Sequence, residues 1–262
     1  MVLLQRIESM ISLRKYYLKH RFLAVAHRGD SGNAPENTMV AYQKAIESGI
    51  PAIEVDVHLT KDNYVVAVHD DNLSRISNTN KLINECNYSD LLNLEVGSWF
   101  DNKFENEHIP TLQQVLELIR NKVYLVLEIK PFSQRPDDFV YEVLKLIEKY
   151  NYTDKTLFVS FDYNLLKLIN NTNKNLNIGA IRIPHSNLMP SDLKYISNCD
   201  VVICSINELD DNFNNDAKMN NIPIGVYDVD TIELLHKALN YHVQGIGTNY
   251  PELILKNLKE RI

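Results

Sequence analysis

Three apolar runs of this chain end in charged residues at matched positions. His27 and Arg28 close the run 22–26, Glu54 and Asp56 lie two apart within 52–59, and Glu128 and Lys130 stand two apart at the end of 123–129. A further run, 64–68, ends in His69. Side chains alternate along a strand, so each pair spaced by two projects from one face. Three carboxylates brought within a few ångströms would raise one another's pKa. A divalent cation removes that repulsion, and all-oxygen donors select Mg²⁺, Ca²⁺ or Mn²⁺ over zinc or copper. The competing arrangement is a buried salt-bridge network in which Lys130 and Arg28 neutralise Glu54, Asp56 and Glu128. Burying that much charge adds little stability, which favours the metal. Cations beside a metal suit an anionic substrate: Lys130 and Arg28 match non-bridging phosphate oxygens. His27 and His69, flanking the cluster, are candidate proton donor and acceptor. Trp99, Phe161 and Tyr227 are candidates to line a pocket for the rest of the substrate. His58 shares the face of Asp56 and is expected at the rim in a structural or solvent-exposed role.

These residues need a scaffold that carries them to one place. Apolar runs at 22–26, 52–59, 123–129, 156–161, 176–181, 200–206, 222–229 and 245–248 alternate with helix candidates at 37–48, 112–120, 137–150, 163–170, 191–197, 211–220, 231–240 and 251–260. Eight strands alternating with eight helices predict an α/β fold, a (β/α)8 TIM barrel, whose reacting groups sit at the C-terminal strand ends. A doubly wound open sheet is the runner-up, weakened by the lack of a GxGxxG loop after the first strand. The run 64–68 follows the second strand after only Thr60, Lys61, Asp62 and Asn63. A parallel crossover needs roughly a dozen residues, so this run must return as a hairpin. Pairing Leu59 with Tyr64 sets Asp56 opposite Ala67 and Glu54 opposite His69. Residues 70–110 are too long for a plain loop and read as a small functional insertion after strand 2. The expected organisation is a basic amphipathic helix over 1–21 and a barrel over 22–262.

Of the 262 residues, 45% are hydrophobic, ample for a sizeable core. The net charge of −7 argues against nucleic acid as a partner. Residues 1–21 nevertheless carry +4, leaving −11 on the remainder. Leu3, Ile7, Met10 and Ile11 fall near helical spacing with basic residues between them. Such a helix either covers the floor of the fold or makes peripheral contact with an anionic membrane. Cys86, Cys199 and Cys204 have no CxxC spacing and cannot all pair, as in a reduced, cytoplasmic protein. No apolar run approaches the roughly 20 residues that span a bilayer.

Residues 26–49, AHRGDSGNAPENTMVAYQKAIESG, and 53–77, IEVDVHLTKDNYVVAVHDDNLSRIS, carry HRG…PENT followed by ExD…HD and an arginine. On these motifs, with weaker echoes at 109–116, 127–130, 159–166 and 245–254, the chain resembles the glycerophosphodiester phosphodiesterases over about residues 22–260. The resemblance implies a (β/α)8 barrel with a small insertion after the second strand. It also implies hydrolysis of glycerophosphodiesters to an alcohol and glycerol 3-phosphate with Mg²⁺ or Ca²⁺. By position, His27 and His69 match the catalytic pair, Glu54, Asp56 and Glu128 the metal ligands, and Arg28 and Lys130 the phosphate contacts. Glu36 and Asn37 would brace the His27 loop, with Asn37 as a helix cap. The chain departs from the family's usual pattern at Asn249, where Asp is expected, at Tyr227, where Trp is frequent, and in its basic leader. Two further readings stand beside hydrolysis of soluble glycerophosphodiesters: a phosphodiesterase of the lysophospholipase D type acting on membrane lysophospholipids, and a non-catalytic binder of phosphorylated ligands.

Overall fold

The computed structural model describes residues 10–131 and 134–259. In chain order these form α1 (Leu13–His20), β1 (Leu23–Ala26), α2 (Met39–Ser48), β2 (Ala52–Leu59), β3 (Val65–Ala67), α3 (Tyr88–Leu91), α4 (Leu112–Ile119), β4 (Tyr124–Ile129), α5 (Pro136–Lys149), β5 (Thr156–Ser160), α6 (Tyr163–Thr172), β6 (Asn177–Ile181), α7 (Pro190–Ser197), β7 (Val201–Ser205), α8 (Asp211–Met219), β8 (Ile224–Tyr227), α9 (Ile232–Asn240), β9 (Gly245–Thr248) and α10 (Pro251–Lys259). The sheet runs β1-β9-β8-β7-β6-β5-β4-β2, and β1 pairs with β2 to close it. Eight parallel strands ringed by helices make the expected (β/α)8 TIM barrel.

Alternation along the strands sorts the side chains. Ile53, Val55 and Val57 of β2 and Leu125, Leu127 and Ile129 of β4 face outward and pack with Leu112, Leu116 and Phe139 of the helices. Their inward neighbours Ala52, Tyr124 and Val126 join Leu23 and Val25 in a separate cluster inside the barrel. The next inward positions up the same strands are Glu54, Asp56 and Glu128, so the apolar pattern itself delivers the carboxylates to the C-terminal rim. Helix starts follow capping chemistry: Thr38, Thr111, Asp162, Asp210 and Thr231 each accept a backbone N–H of the first turn. Asn37, expected as the α2 cap, lies one residue before Thr38, and its side chain serves the site instead.

The hairpin forms, but its expected register is one residue out. Val57 pairs with Ala67, His58 with Val66 and Leu59 with Val65. The Thr60 N–H donates to the Tyr64 carbonyl, and Asn63 turns the chain at φ 67°. A three-residue turn with a left-handed third residue is therefore used in place of four loop residues. Between His69 and α4 the chain builds α3 and short 3₁₀ turns over their own cluster of Val68, Leu73, Ile83, Leu91, Val96 and Ile109.

At the opposite end α1 lies across the floor. Met10, Leu13 and Tyr16 pack against the inward cluster, the Tyr16 ring is 4.9 Å from Tyr124, and the Tyr124 hydroxyl donates to the Ile11 carbonyl at 3.0 Å. Arg14, Lys15 and Lys19 are exposed. Leu3 and Ile7 of the expected leader helix lie outside the described residues. Among the described residues no helix is long and apolar enough to cross a membrane.

Candidate active site

The barrel register brings the distant pairs together. β2 and β4 align Asp56 with Glu128, while β1 and β2 align Ala26 with Ile53, which sets His27 beside Glu54 one step on. Just past β1 the chain turns sharply, with Arg28 at φ 57° and Gly29 at φ 83°. That turn aims the Arg28 N–H at Glu54 Oε2, 2.8 Å away. A Cβ on Gly29 would lie 2.6 Å from the Ala41 carbonyl carbon, so only glycine fits. Gly29→Ala is expected to destabilise the protein by about 2–4 kcal/mol through the clash and the left-handed backbone, read as the urea midpoint. A midpoint within experimental error of the native one would remove this account of the turn.

Glu54, Asp56 and Glu128 are buried, and each offers an oxygen within 4.8 Å of the others'. Lys130 Nζ lies 2.7 Å from Asp56 Oδ1 and 2.5 Å from Glu128 Oε1, and Arg28 Nε lies 3.2 Å from Asp56 Oδ2. Asn37 Nδ2 donates to Asp56 Oδ2 at 2.8 Å, and Asn37 Oδ1 accepts from the Tyr42 hydroxyl. Burial and the charges of Asp56 and Glu128 push the Glu54 carboxyl well above its usual range. Burial and Asp56 likewise push Glu128 up to about 7. Asp56 is held well below its usual range: burial would raise it, but Lys130 and Arg28 outweigh that. Two cations thus fall short of satisfying three buried acids. Glu54 Oε1 is buried without any hydrogen-bond partner. Such an orphaned oxygen beside two further carboxylates fits a hard divalent cation.

Both histidines reach this cluster, each held from behind at Nδ1. His69 Nδ1 donates to Asp70 Oδ1 at 2.6 Å. Arg75 grips the other Asp70 oxygen at 2.6 Å and also Glu36, which in turn pairs with Arg28 at 3.2 Å. His27 Nδ1 lies 2.9 Å from Asn249 Oδ1. Asn249 donates its backbone N–H and its Nδ2 to the two oxygens of Asp230, which fixes Oδ1 toward His27 as an acceptor. Both imidazoles therefore carry the proton on Nδ1 and keep Nε2 for the cavity. Burial, followed by the Arg28 charge, lowers His27 to about 4. Burial also lowers His69, helped by the Lys130 and Arg28 charges and opposed by the Asp56 charge and the Asp70 hydrogen bond.

A cavity of about 600 Å³ is lined by His27, Arg28, Glu54, His69, Glu128, Phe161 and Tyr227. Phe161 and Tyr227 thus lie on the cavity wall. Lys130 is buried behind the carboxylates and is not on the cavity wall. Trp99 is also off that wall: its Nε1 donates to the Val96 carbonyl, and its ring lies 5.5 Å beneath the Arg75 guanidinium. His58 is buried, not at the rim, and its Nε2 lies 3.1 Å from the His69 carbonyl oxygen, bracing that residue from below. Sequence reasoning missed Asp70, Asn249 and Asp230 as supports. Adjacency to His69 could have found Asp70, whereas nothing local marks Asp230.

Known proteins resemble this chain in sequence and in fold. Residues 27–253 match the model of the glycerophosphoryl diester phosphodiesterase family. A glycerophosphodiester phosphodiesterase of Caldanaerobacter subterraneus subsp. tengcongensis is 31% identical over 252 residues, covering 91% of this chain and 98% of that protein. A human lysophospholipase D is 30% identical over 173 residues, 63% of this chain and 53% of that protein. An Oleispira antarctica phosphodiesterase, solved with the product sn-glycerol-3-phosphate, superposes with a TM-score of 0.84 at 27% identity, covering 90% of this chain and 96% of that one. The matched span contains the HRG turn and all three carboxylates of this chain, and this chain belongs to the glycerophosphoryl diester phosphodiesterase family.

Proposed function

We propose that this protein hydrolyses glycerophosphodiesters to an alcohol and sn-glycerol 3-phosphate, with one Mg²⁺ or Ca²⁺ held by Glu54, Asp56 and Glu128. The observation that carries the reading is that His27 and His69 face one cavity with that acidic cluster. When bound, the cation supplies Lewis-acid polarisation of the phosphoryl group. Arg28 lines the cavity and meets the phosphate there, while Lys130 neutralises Asp56 and Glu128 from behind.

The supports behind the histidines divide their roles. A carboxylate, Asp70, backs His69 and favours its imidazolium. A neutral amide, Asn249, backs His27, and burial beside Arg28 keeps that ring neutral. His27 is thus the general base that takes the proton from the attacking oxygen, either water or the glycerol 2-hydroxyl through a cyclic phosphate. His69 is the general acid that protonates the departing alkoxide as the P–O bond breaks. Turnover of glycerophosphocholine with Mg²⁺ or Ca²⁺, read as released glycerol 3-phosphate, tests the proposal. Binding of that substrate without turnover would leave only a binder of phosphorylated ligands.

The division also makes a pH prediction. Asn249→Ala frees the His27 ring and is expected to lower kcat by about 10–100-fold. The exchange Asp230→Asn with Asn249→Asp keeps the hydrogen bonds but sets the negative charge directly against the imidazole. An adjacent carboxylate raises a histidine pKa by about one unit or more. Neutral base is lost as pH falls through that pKa, so the acid limb of kcat/KM should move to higher pH. An acid limb left in place by the exchange would argue against His27 as the base.

A further inference from the structure

We propose that the insertion after β3 supplies a positioning residue, Arg75, whose guanidinium fixes the His69 ring through Asp70 and the Arg28 side chain through Glu36. This rests on the phosphodiesterase reading above and gives residues 70–110 a task in the same site. All three guanidinium nitrogens are committed. Nε donates to Asp70 Oδ2 at 2.6 Å, Nη2 to Glu36 Oε1 at 2.6 Å and Nη1 to Glu36 Oε2 at 3.1 Å. The other Asp70 oxygen accepts from His69 Nδ1 at 2.6 Å, and Glu36 Oε1 also meets Arg28 Nη1 at 3.2 Å. One side chain thus reaches two parts of the site: the ring that protonates the leaving group and the cation that meets the phosphate.

The Asp70 carboxylate needs such a hold. Successive side chains of an extended chain point apart, so the carboxylate of residue 70 has to turn back to meet the imadazole of residue 69. Arg75 takes the far oxygen and leaves the near one on Nδ1. On the other arm, the Glu36 carboxylate bridges two arginines, one from the insertion and one from the turn after β1.

Arg75 is itself placed by packing that does not involve these carboxylates. It ends a 3₁₀ turn, Leu73–Arg75, in which Asn72 Oδ1 accepts the Ser74 N–H at 2.9 Å. Leu73 is fully buried in the apolar cluster of the insertion. On the guanidinium face lies the Trp99 ring, which meets Phe100 edge-on. Phe100 in turn packs with Phe104 against Ala34 and Ala41, beside the HRG turn. Two separate stretches of the insertion therefore converge on Arg75 and on the segment that carries Glu36. Ion pairs as exposed as these add little stability, and the Arg75 side chain is 41% exposed. What a planar fork between two carboxylates supplies is direction, which a lysine ammonium cannot reproduce.

The test is steady-state turnover of glycerophosphocholine with Mg²⁺ or Ca²⁺ by the full chain, with urea midpoints measured alongside. Arg75→Ala and Arg75→Lys should each lower kcat by about 10–100-fold. Each should raise KM by about three- to tenfold as Arg28 loosens. Lys should lie close to Ala, because charge without the fork does not hold both carboxylates. In an Asp70→Ala background, Arg75→Ala should cost less than about threefold further in kcat, since the route to His69 is already cut. The KM increase should persist there, because it runs through Glu36. Arg75→Lys with native kcat and KM would overturn the positioning role. So would a kcat cost in the Asp70→Ala background as large as in the native chain, or lowered urea midpoints with kcat per folded molecule unchanged. Each of these leaves hydrolysis of glycerophosphocholine standing. Absence of turnover by the native chain would instead overturn the parent reading and the role of Arg75 with it.

Discussion

Replacing His27 or His69 with alanine is expected to lower kcat by about 10²–10⁴-fold, the range that a positioned acid or base contributes. Both rings line one cavity, and each is anchored at Nδ1 by a group that is itself held. Anchoring of this kind fixes the tautomer and leaves Nε2 for proton transfer. Both groups act in the same bond exchange, one taking a proton and the other giving one. The double variant should therefore lose little more than the worse single variant. KM should change less than kcat, since neither ring carries the charge that holds the phosphate. The pH profiles should separate the roles: the variant without the base keeps the alkaline limb, and the variant without the acid keeps the acidic limb. Single variants that retained kcat within a few-fold of native would end the two-histidine mechanism, whatever their pH profiles.

The second large effect concerns the acidic cluster. Saturating Mg²⁺ or Ca²⁺ should raise the melting temperature by about 5–10 °C, because binding to the folded state alone stabilises by about 2.7 kcal/mol at a hundredfold excess over Kd. Chelation should reverse the shift and abolish activity. Glu54→Gln should remove the shift and lower kcat by about 10²-fold or more, while leaving the metal-free melting temperature at or above native. Glu54 Oε1 has no hydrogen bond to lose, and removing one of three crowded negative charges relieves repulsion. Asp56→Ala should behave in the opposite way. Asp56 sits 2.7 Å from Lys130 and 3.2 Å from Arg28, and its loss would break two buried ion pairs, leaving Lys130 to Glu128 and Arg28 to Glu36. That costs about 3–5 kcal/mol before any metal is added. If neither cation moved the melting temperature of the native protein, the three carboxylates would have to be read as a structural salt-bridge network.

Much of this molecule was legible before any coordinates. Short continuous apolar runs between segments with a helical period point to strands alternating with helices, and right-handed closure of eight such units is a barrel. Once that is granted, Glu54, Asp56 and Glu128 have nowhere to point but the inside of its rim. His27 and His69 follow because each ends a strand that pairs with, or turns from, the same neighbour. The hairpin register was misjudged because it depends on Asn63 adopting a left-handed turn, a choice between loops of three and four residues that alternation cannot make. His69 still reaches the site because it lies beyond the paired residues, where the chain bends and strict alternation no longer binds it.

What the chain determined by itself was the set of candidate groups and the architecture that gathers them, because both rest on side-chain periodicity, which is local. Only the tertiary structure decided what stands behind those groups. Asn249 is 222 positions from His27, and Asp230 enters only through Asn249. Lys130 lies against Glu128 of its own strand and Asp56 of the neighbouring one, and not on the cavity wall, because the β2–β4 register sets those two carboxylates side by side. Support and direction are properties of what surrounds a residue, and those surroundings are assembled from parts of the chain that share no local pattern.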